Sequence, residues 1–187
     1  TYLITINNSD YTLGANQFML SAGNTNSRVN VTGSDTPQVI VGGLNNLFQD
    51  TTFSFLPADQ QLILDGGKVD IALQVARKDS TTAEGSNAIQ TLASGQTINL
   101  YLDMTLLKTR TTAANVASAP TKIPTVGSLL QIVVPYNLTG QNNVIIYRYH
   151  NGVAQQLSAL PYNTVTPAQE GYMLNPTTNE IVIWSQN

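Results

Sequence analysis

Few residues in this sequence carry side chains suited to acid–base or nucleophilic chemistry. The chain of 187 residues contains one histidine, His150, and no cysteine. The lack of cysteine excludes a thiol nucleophile, disulfide bonds and cysteine-ligated metal ions. A Ser-His-Asp triad would depend on His150, which stands directly before Asn151-Gly152, a strong hairpin-turn signal. We therefore expect a protein that is not an enzyme and has no catalytic residues.

Three aspartates near a glycine-rich turn are the candidate metal ligands. Asp59, Asp65 and Asp70 surround Gly66-Gly67, and carboxylate oxygens are the ligands that calcium prefers. Their spacing does not follow the regular pattern of an EF-hand loop. The alternative is that Asp65 simply favours the turn. We predict no cofactor, with calcium as the alternative that these residues leave open.

Tyrosines offer a different kind of site. Tyr147 and Tyr149 are two residues apart in a predicted strand, which places both rings on one face. Such a pair could stack on a sugar, so an adhesion or carbohydrate-binding module is the second functional hypothesis. The competing interpretation is that the rings fill a core or cover its edge.

Two lysines stand near carboxylates in predicted strands. Lys68 precedes Asp70, and Lys108 follows Asp103. A buried lysine beside an asparagine and a carboxylic acid can form an intramolecular isopeptide bond. The sequence supplies two of these three groups locally and does not place the asparagine.

The composition excludes several classes of partner. Only 10% of residues are charged and the net charge is −3, without a clustered basic face for nucleic acid or an anionic membrane. No run of 18 apolar residues exists, so we expect no membrane insertion. Solubility rests on uncharged polar residues, which is common in secreted and cell-surface β-proteins. We therefore expect an extracellular location at the cell surface.

Apolar residues recur with a period close to two, and turn residues separate the runs. This predicts an all-β fold, an Ig-like or jelly-roll-type β-sandwich with one short helix near residues 83–93. The expected division is an N-terminal β segment (1–55) and a β-sandwich module (56–187), or one continuous domain. The predicted strands are 2–6, 17–20, 28–31, 38–41, 52–55, 62–64, 68–75, 97–107, 129–134, 144–149, 153–157, 171–174 and 180–184.

A series of short motifs occurs in a fixed order between residues 88 and 152. The motifs are AIQTLA at 88–93, TINLYLDMTLLK at 97–108, TKIP at 121–124, IVVP at 132–135 and IIYRYHNG at 145–152. Together they resemble a module of Gram-positive, clostridial-type cell-surface and S-layer-like proteins, over roughly residues 60–187. The resemblance implies a structural module at the cell surface and names no biochemical activity.

The two ends of the sequence bear on how copies could join. In the module that the sequence resembles, the final strand is similar to Phe-Ser-Thr-Tyr-Ala-Ile, and the sequence stops at Asn187, where that strand should begin. Residues 1–4, TYLI, resemble its Thr-Tyr-Ala-Ile portion. The open explanations are a tandem array cut within a repeat, donation of residues 1–6 to the next copy, a boundary without functional meaning, backbone cleavage, and coincidence.

These observations lead to one functional prediction. We expect a structural subunit of a surface layer or filament that assembles with copies of itself, or with neighbouring repeats, by strand pairing. The predicted donor strand carries Tyr2, Leu3, Ile4 and Ile6. The predicted acceptor edge carries Ile181, Ile183 and Trp184.

Overall fold

The computed structural model describes residues 3–6, 9–12 and 24–186. Strands dominate these ranges and helices are short, which confirms the predicted all-β class. The strands are β1 (Leu3–Ile6), β2 (Ser9–Thr12), β3 (Thr25–Thr32), β4 (Ile40–Gly42), β5 (Lys68–Lys78), β6 (Tyr101–Thr111), β7 (Thr121–Lys122), β8 (Leu130–Pro135), β9 (Tyr147–His150), β10 (Val153–Gln156), β11 (Gly171–Asn175) and β12 (Glu180–Ser185). The helices are α1 (Pro57–Leu64), α2 (Ser86–Ala93) and a 3₁₀ turn, Leu44–Phe48.

Two four-stranded sheets form the body of the protein. The first has the order β3-β5-β6-β7, and the second has the order β11-β12-β8-β4. Strand β3 runs parallel to β5, and all other neighbours within these sheets are antiparallel. Two further hairpins, β1–β2 and β9–β10, form separate two-stranded sheets.

The core lies between the two four-stranded sheets. Every second residue of β5 faces it, and so does every second residue of β8, as the period of two requires. Burial of each such side chain contributes about 1.5–3 kcal/mol as an upper estimate. The core residues of these two strands are Val69, Ile71, Leu73, Val75, Leu130, Ile132 and Val134.

Helix α1 occupies residues 57–64, so the strand predicted at 62–64 is wrong. Pro57 stands in the first turn, and the Asp59 carboxylate accepts a hydrogen bond from the Leu56 N–H, two features that favour a helix start. Gly66 and Gly67 then leave the helix instead of closing a hairpin. A Cβ at Gly67 would lie only 2.7 Å from the Thr111 carbonyl oxygen.

Among the other predicted elements, some are confirmed and one is wrong. The hairpin at Asn151-Gly152 is confirmed, with φ of +48° and +83° at the two turn residues. Strands β11 and β12 and helix α2 also form where they are expected. Residues 51–54 form turns rather than a strand. The predicted strand at 17–20 lies outside the described residues.

Strands from both sides of residue 55 share the same sheets. Strand β3 pairs with β5 along its whole length, and β4 pairs with β8. Residues 24–55 are therefore built into the same two sheets as the later part of the chain.

The predicted acceptor edge at Ile181, Ile183 and Trp184 is wrong. These residues belong to β12, which pairs with β11 on one side and with β8 on the other. Both rows of backbone groups of β12 are thus occupied within the chain, so no further strand can join there.

The predicted donor segment begins with a hairpin of its own. Strand β1 pairs antiparallel with β2, from Leu3 opposite Thr12 to Ile6 opposite Ser9. Among the described strands, neither β1 nor β2 joins a four-stranded sheet. Tyr2 lies outside the described residues.

Candidate functional site

The first half of β6 has an open edge. Strand β7 pairs with β6 only at Leu107 and Lys108, and the Ile123 N–H donates to the Leu106 carbonyl at 2.9 Å. Over Tyr101–Thr105, no strand of the described residues pairs with this side of β6. An open edge of this kind is a template for an added strand.

The alternation of the backbone shows which groups face this edge. The carbonyls of Leu106 and Arg110 both accept hydrogen bonds from the β7 side. Because backbone groups alternate between the two sides of a strand, the N–H and C=O of Leu102 and Met104 point to the same side. The open half of β6 therefore presents two residues with paired donor and acceptor groups.

A cavity of about 790 Å³ lies beside this edge and extends between the two sheets. We call it the β6 groove. Leu102 and Met104 line it from the first sheet, and Ile132 and Ile183 line it from the second. Protein interiors are normally close-packed, so apolar walls around a space this large have room for additional side chains.

Helix α2 closes one end of the β6 groove. Its Gln90 Nε2 donates to the Tyr101 hydroxyl at 3.1 Å, at the start of β6. Directly before the helix, Gly85 lies against the Tyr149 ring, and a Cβ at Gly85 would overlap that ring. The helix therefore connects the start of β6 with β9.

The two tyrosines proposed for sugar stacking take part in this contact. Both are half-buried, and Tyr147 donates its hydroxyl to Gln96 Oε1 at 2.9 Å. The Tyr149 ring packs on Gly85, so part of its face is covered. The structure uses these rings to hold helix α2 against β9.

The other two residues of β9 line the groove with polar groups. Arg148 Nη1 donates to Glu170 Oε1 at 2.7 Å and to Ser185 Oγ at 3.0 Å. Burial opposes ionisation of Glu170, but the hydrogen bonds from Arg148 and the Gln186 N–H hold the pKa of its carboxyl below the ordinary value. The pair Arg148–Glu170 is therefore an ion pair at neutral pH.

Two buried nitrogens at this wall have no hydrogen-bond partner among the described residues. They are Arg148 Nε and His150 Nε2. A buried polar group without a partner costs about 1–3 kcal/mol. Native proteins keep few such groups, and buried water commonly satisfies those that have no protein partner.

A second group of charged residues, which we call the Asp59 cluster, consists of Asp59, Lys108 and Arg110. Its charged groups are hydrogen-bonded to each other within the protein. Asp59 is completely buried and accepts hydrogen bonds from Lys108 Nζ at 2.6 Å and Arg110 Nε at 2.5 Å. Lys108 Nζ also donates to the Ser54 carbonyl at 2.9 Å. Burial raises the pKa of Asp59, but the hydrogen bonds from Arg110 and Lys108 outweigh it and keep the pKa lowered. The cluster ties α1 to β6.

The structure does not bring the three candidate calcium ligands together. Asp59 is engaged by two cations, and Asp65 Oδ1 accepts from Gln61 Nε2 at 2.9 Å at the end of α1. Asp70 lies on β5 and pairs with Arg28. Within the described part of the chain, no group of three or more acidic or histidine side chains is arranged to hold a metal ion.

Sequence reasoning missed both the groove and the Asp59 cluster, although a signal for the cluster was present. Leu102, Met104 and Leu106 form the inward face of β6, and Lys108 and Arg110 continue the same period of two. Charged residues in register with an apolar face predict a buried partner of opposite charge. That partner is Asp59 on α1, not the Asp103 considered from sequence.

Comparison with family models, with curated proteins and with solved structures found no match. The described helices include none that is long and apolar enough to cross a membrane.

Proposed function

We propose that this protein is a structural subunit of an extracellular surface layer or filament, and that its copies assemble by strand pairing. The observation that supports the proposal is the β6 groove, an open strand edge beside a cavity of about 790 Å³ that has apolar side chains from both sheets in its walls. An inserted strand would satisfy the backbone groups of Leu102 and Met104 and would fill the space between the sheets. The acceptor is thus β6 rather than β12.

The proposed donor is β1 of a second copy, with Tyr2, Leu3, Ile4 and Ile6. One side of β1 pairs with β2, and no described strand pairs with its other side. Residues 1–9 carry no charged side chain, so the donor would bury no unpaired charge from its side chains in the groove. The open part of β6, Tyr101–Thr105, is close in length to the four residues of β1.

The energetic balance is favourable only if several side chains are buried together. Each Leu or Ile that enters the groove contributes about 1.5–3 kcal/mol as an upper estimate. Fixing the backbone of each donor residue costs about 1–2 kcal/mol. Because these terms are similar, the backbone hydrogen bonds along β6 decide whether assembly is stable.

The absence of cysteine allows a direct test by cross-linking. A variant with Ile4→Cys is mixed with a variant with Leu102→Cys and oxidised under assembly conditions. We expect a disulfide-linked dimer, because a donor strand beside β6 brings the two positions within disulfide range. The matched control carries Ile40→Cys, an exposed position on the edge strand β4 of the other sheet.

The outcomes separate the alternatives. Cross-linking through Leu102→Cys and not through Ile40→Cys supports insertion beside β6. Equal cross-linking through both positions indicates non-specific collision, and oxidation that yields monomers alone refutes assembly through this groove.

A further inference from the structure

The rim of the β6 groove carries charges of opposite sign at its two ends. Among the described residues that line the groove, the exposed charged side chains are Glu84, Asp103 and Lys122. Lys122 belongs to β7 and lies opposite Leu107, which follows the open half of β6. The end of the groove at β7 is therefore its basic end.

The two acidic side chains lie toward the other end, where helix α2 meets the start of β6. Glu84 stands two residues before α2, and Asp103 lies within the open half of β6. Arg148 also lines the groove, but its charge is balanced by Glu170, which lies 2.7 Å from its Nη1. An incoming strand thus meets negative charge where β6 begins and positive charge where β7 pairs with β6.

The proposed donor also has charge at one end only. Residues 1–9 carry no charged side chain, and Asp10 is the first charged residue in the sequence. Asp10 belongs to β2 and lies opposite Thr5, in the second half of β1. If β1 separates from β2, Asp10 still follows the last residue of β1 by four positions. The donor is therefore acidic toward the end where β1 finishes.

We infer that β1 of a second copy inserts parallel to β6, because this direction brings Asp10 to Lys122 and away from the acidic end of the rim. The inference rests on the proposed function and adds the direction of the strand and the residues that select it. An antiparallel strand would finish where β6 begins, and Asp10 would then approach charges of its own sign. Complementary charges fix the register of an interface, and like charges brought together suppress the wrong arrangement.

Disulfide mapping in the cysteine-free chain tests the direction. A donor chain with Ile6→Cys is mixed with an acceptor chain that carries Met104→Cys or Leu102→Cys, and the initial rate of heterodimer formation is measured. With Ile4 beside Leu102, a parallel strand brings Ile6 beside Met104, whereas an antiparallel strand turns Ile6 toward the start of β6. Positions two residues apart on one strand differ by about 6.5 Å, so we expect linking to Met104→Cys to be roughly fivefold faster.

A charge-reversal cycle tests the residues that select this direction. Lys122→Glu in the acceptor chain should slow the linking of Ile6→Cys to Met104→Cys about two- to fivefold at low salt, as for loss of an exposed ion pair. Asp10→Lys in the donor chain should then restore the rate. Lys68→Glu is the matched control, because Lys68 is an exposed lysine of the same sheet that does not line the groove.

The results distinguish the inference from the proposed function. If Ile6→Cys links to Leu102→Cys as fast as to Met104→Cys, or faster, the parallel direction is overturned and strand insertion stands. If Lys122→Glu slows linking no more than Lys68→Glu does, selection by these charges is overturned. If Ile6→Cys links to neither position, the proposed function and this inference are refuted together.

Discussion

The Asp59 cluster gives the sharpest prediction about stability. In Asp59→Asn the carboxylate is replaced by an amide, and the Lys108 ammonium stays buried with only the Ser54 carbonyl and a neutral side chain as partners. The exposed fractions of the side chains are 5% for Lys108 and 0% for Asp59, so water cannot compensate. Breaking a buried ion pair by removing one partner costs about 3–5 kcal/mol. We expect the free energy of unfolding to fall by that amount.

Lys108→Met gives the complementary perturbation. Asp59 then keeps Arg110 Nε and the Leu56 N–H as partners, so we expect a loss nearer the lower end, about 3 kcal/mol. The double variant Asp59→Asn with Lys108→Met removes both buried charges. Because no unpaired buried charge remains, we expect it to be less destabilised than the sum of the single variants.

Urea unfolding followed by circular dichroism measures these changes through the transition midpoint and slope. The matched control is Asp70→Asn, which breaks a partly exposed ion pair with Arg28 and should cost about 1 kcal/mol or less. The reasoning is refuted if Asp59→Asn costs no more than Asp70→Asn, or if the two changes in the double variant add without coupling.

The same cluster predicts a dependence on acid. Burial alone would raise the pKa of Asp59. The hydrogen bonds from Arg110 and Lys108 lower it by a larger amount, so the pKa in the folded protein lies below the ordinary 3.8. A group with a lowered folded pKa contributes stability that is complete above the unfolded pKa and is lost as the pH falls through the folded pKa. We expect the unchanged protein to lose stability as the pH falls below about 4, and Asp59→Asn to lose less over the same range.

Three further predictions concern other parts of the molecule. An amide bond between Lys108 and Asp59 would release one water. Because Asp59 is held ionised and an ionised carboxylate resists attack by an amine, we expect the intact mass to match the unmodified sequence; a mass lower by one water contradicts this. Deleting residues 1–6 should abolish assembly while the two four-stranded sheets persist, as light scattering and circular dichroism would show; unchanged assembly argues against donation by β1. Gly85→Ala should lower the melting temperature more than Gly95→Ala, because both glycines have positive φ but only Gly85 contacts the Tyr149 ring; equal shifts would exclude that contact as the cause.

The sequence predicts elements whose signal is local. The alternation along β5 and the Asn-Gly turn between β9 and β10 depend on neighbouring residues, and both form as expected. Residues 57–64 show the limit of this reasoning. Leu62-Ile63-Leu64 fits a strand by composition, while Pro57 and Asp59 favour a helix start, and the helix forms because Asp59 gains partners on β6.

The acceptor site could not be predicted in the same way. Whether a strand lies at an edge depends on the order of strands in the sheet, and the residues of β12 alone do not show that it lies between β11 and β8. The open edge of β6 arises because β7 is only two residues long. That length reflects how residues 121–126 turn toward the second sheet, which the residues of β6 themselves do not encode.

The parallel pairing of β3 with β5 has a mechanical consequence. Their register runs over eight residue pairs, from Thr25 opposite Val69 to Thr32 opposite Ala76. A load pulling on the amino end of β3 acts along the strands, so the eight pairs share the force instead of opening one after another. Forced unfolding follows the rate of barrier crossing rather than equilibrium stability, and a shared break raises that barrier. Tension that reaches β3 from the N-terminal side would thus be resisted by all eight β3–β5 pairs together.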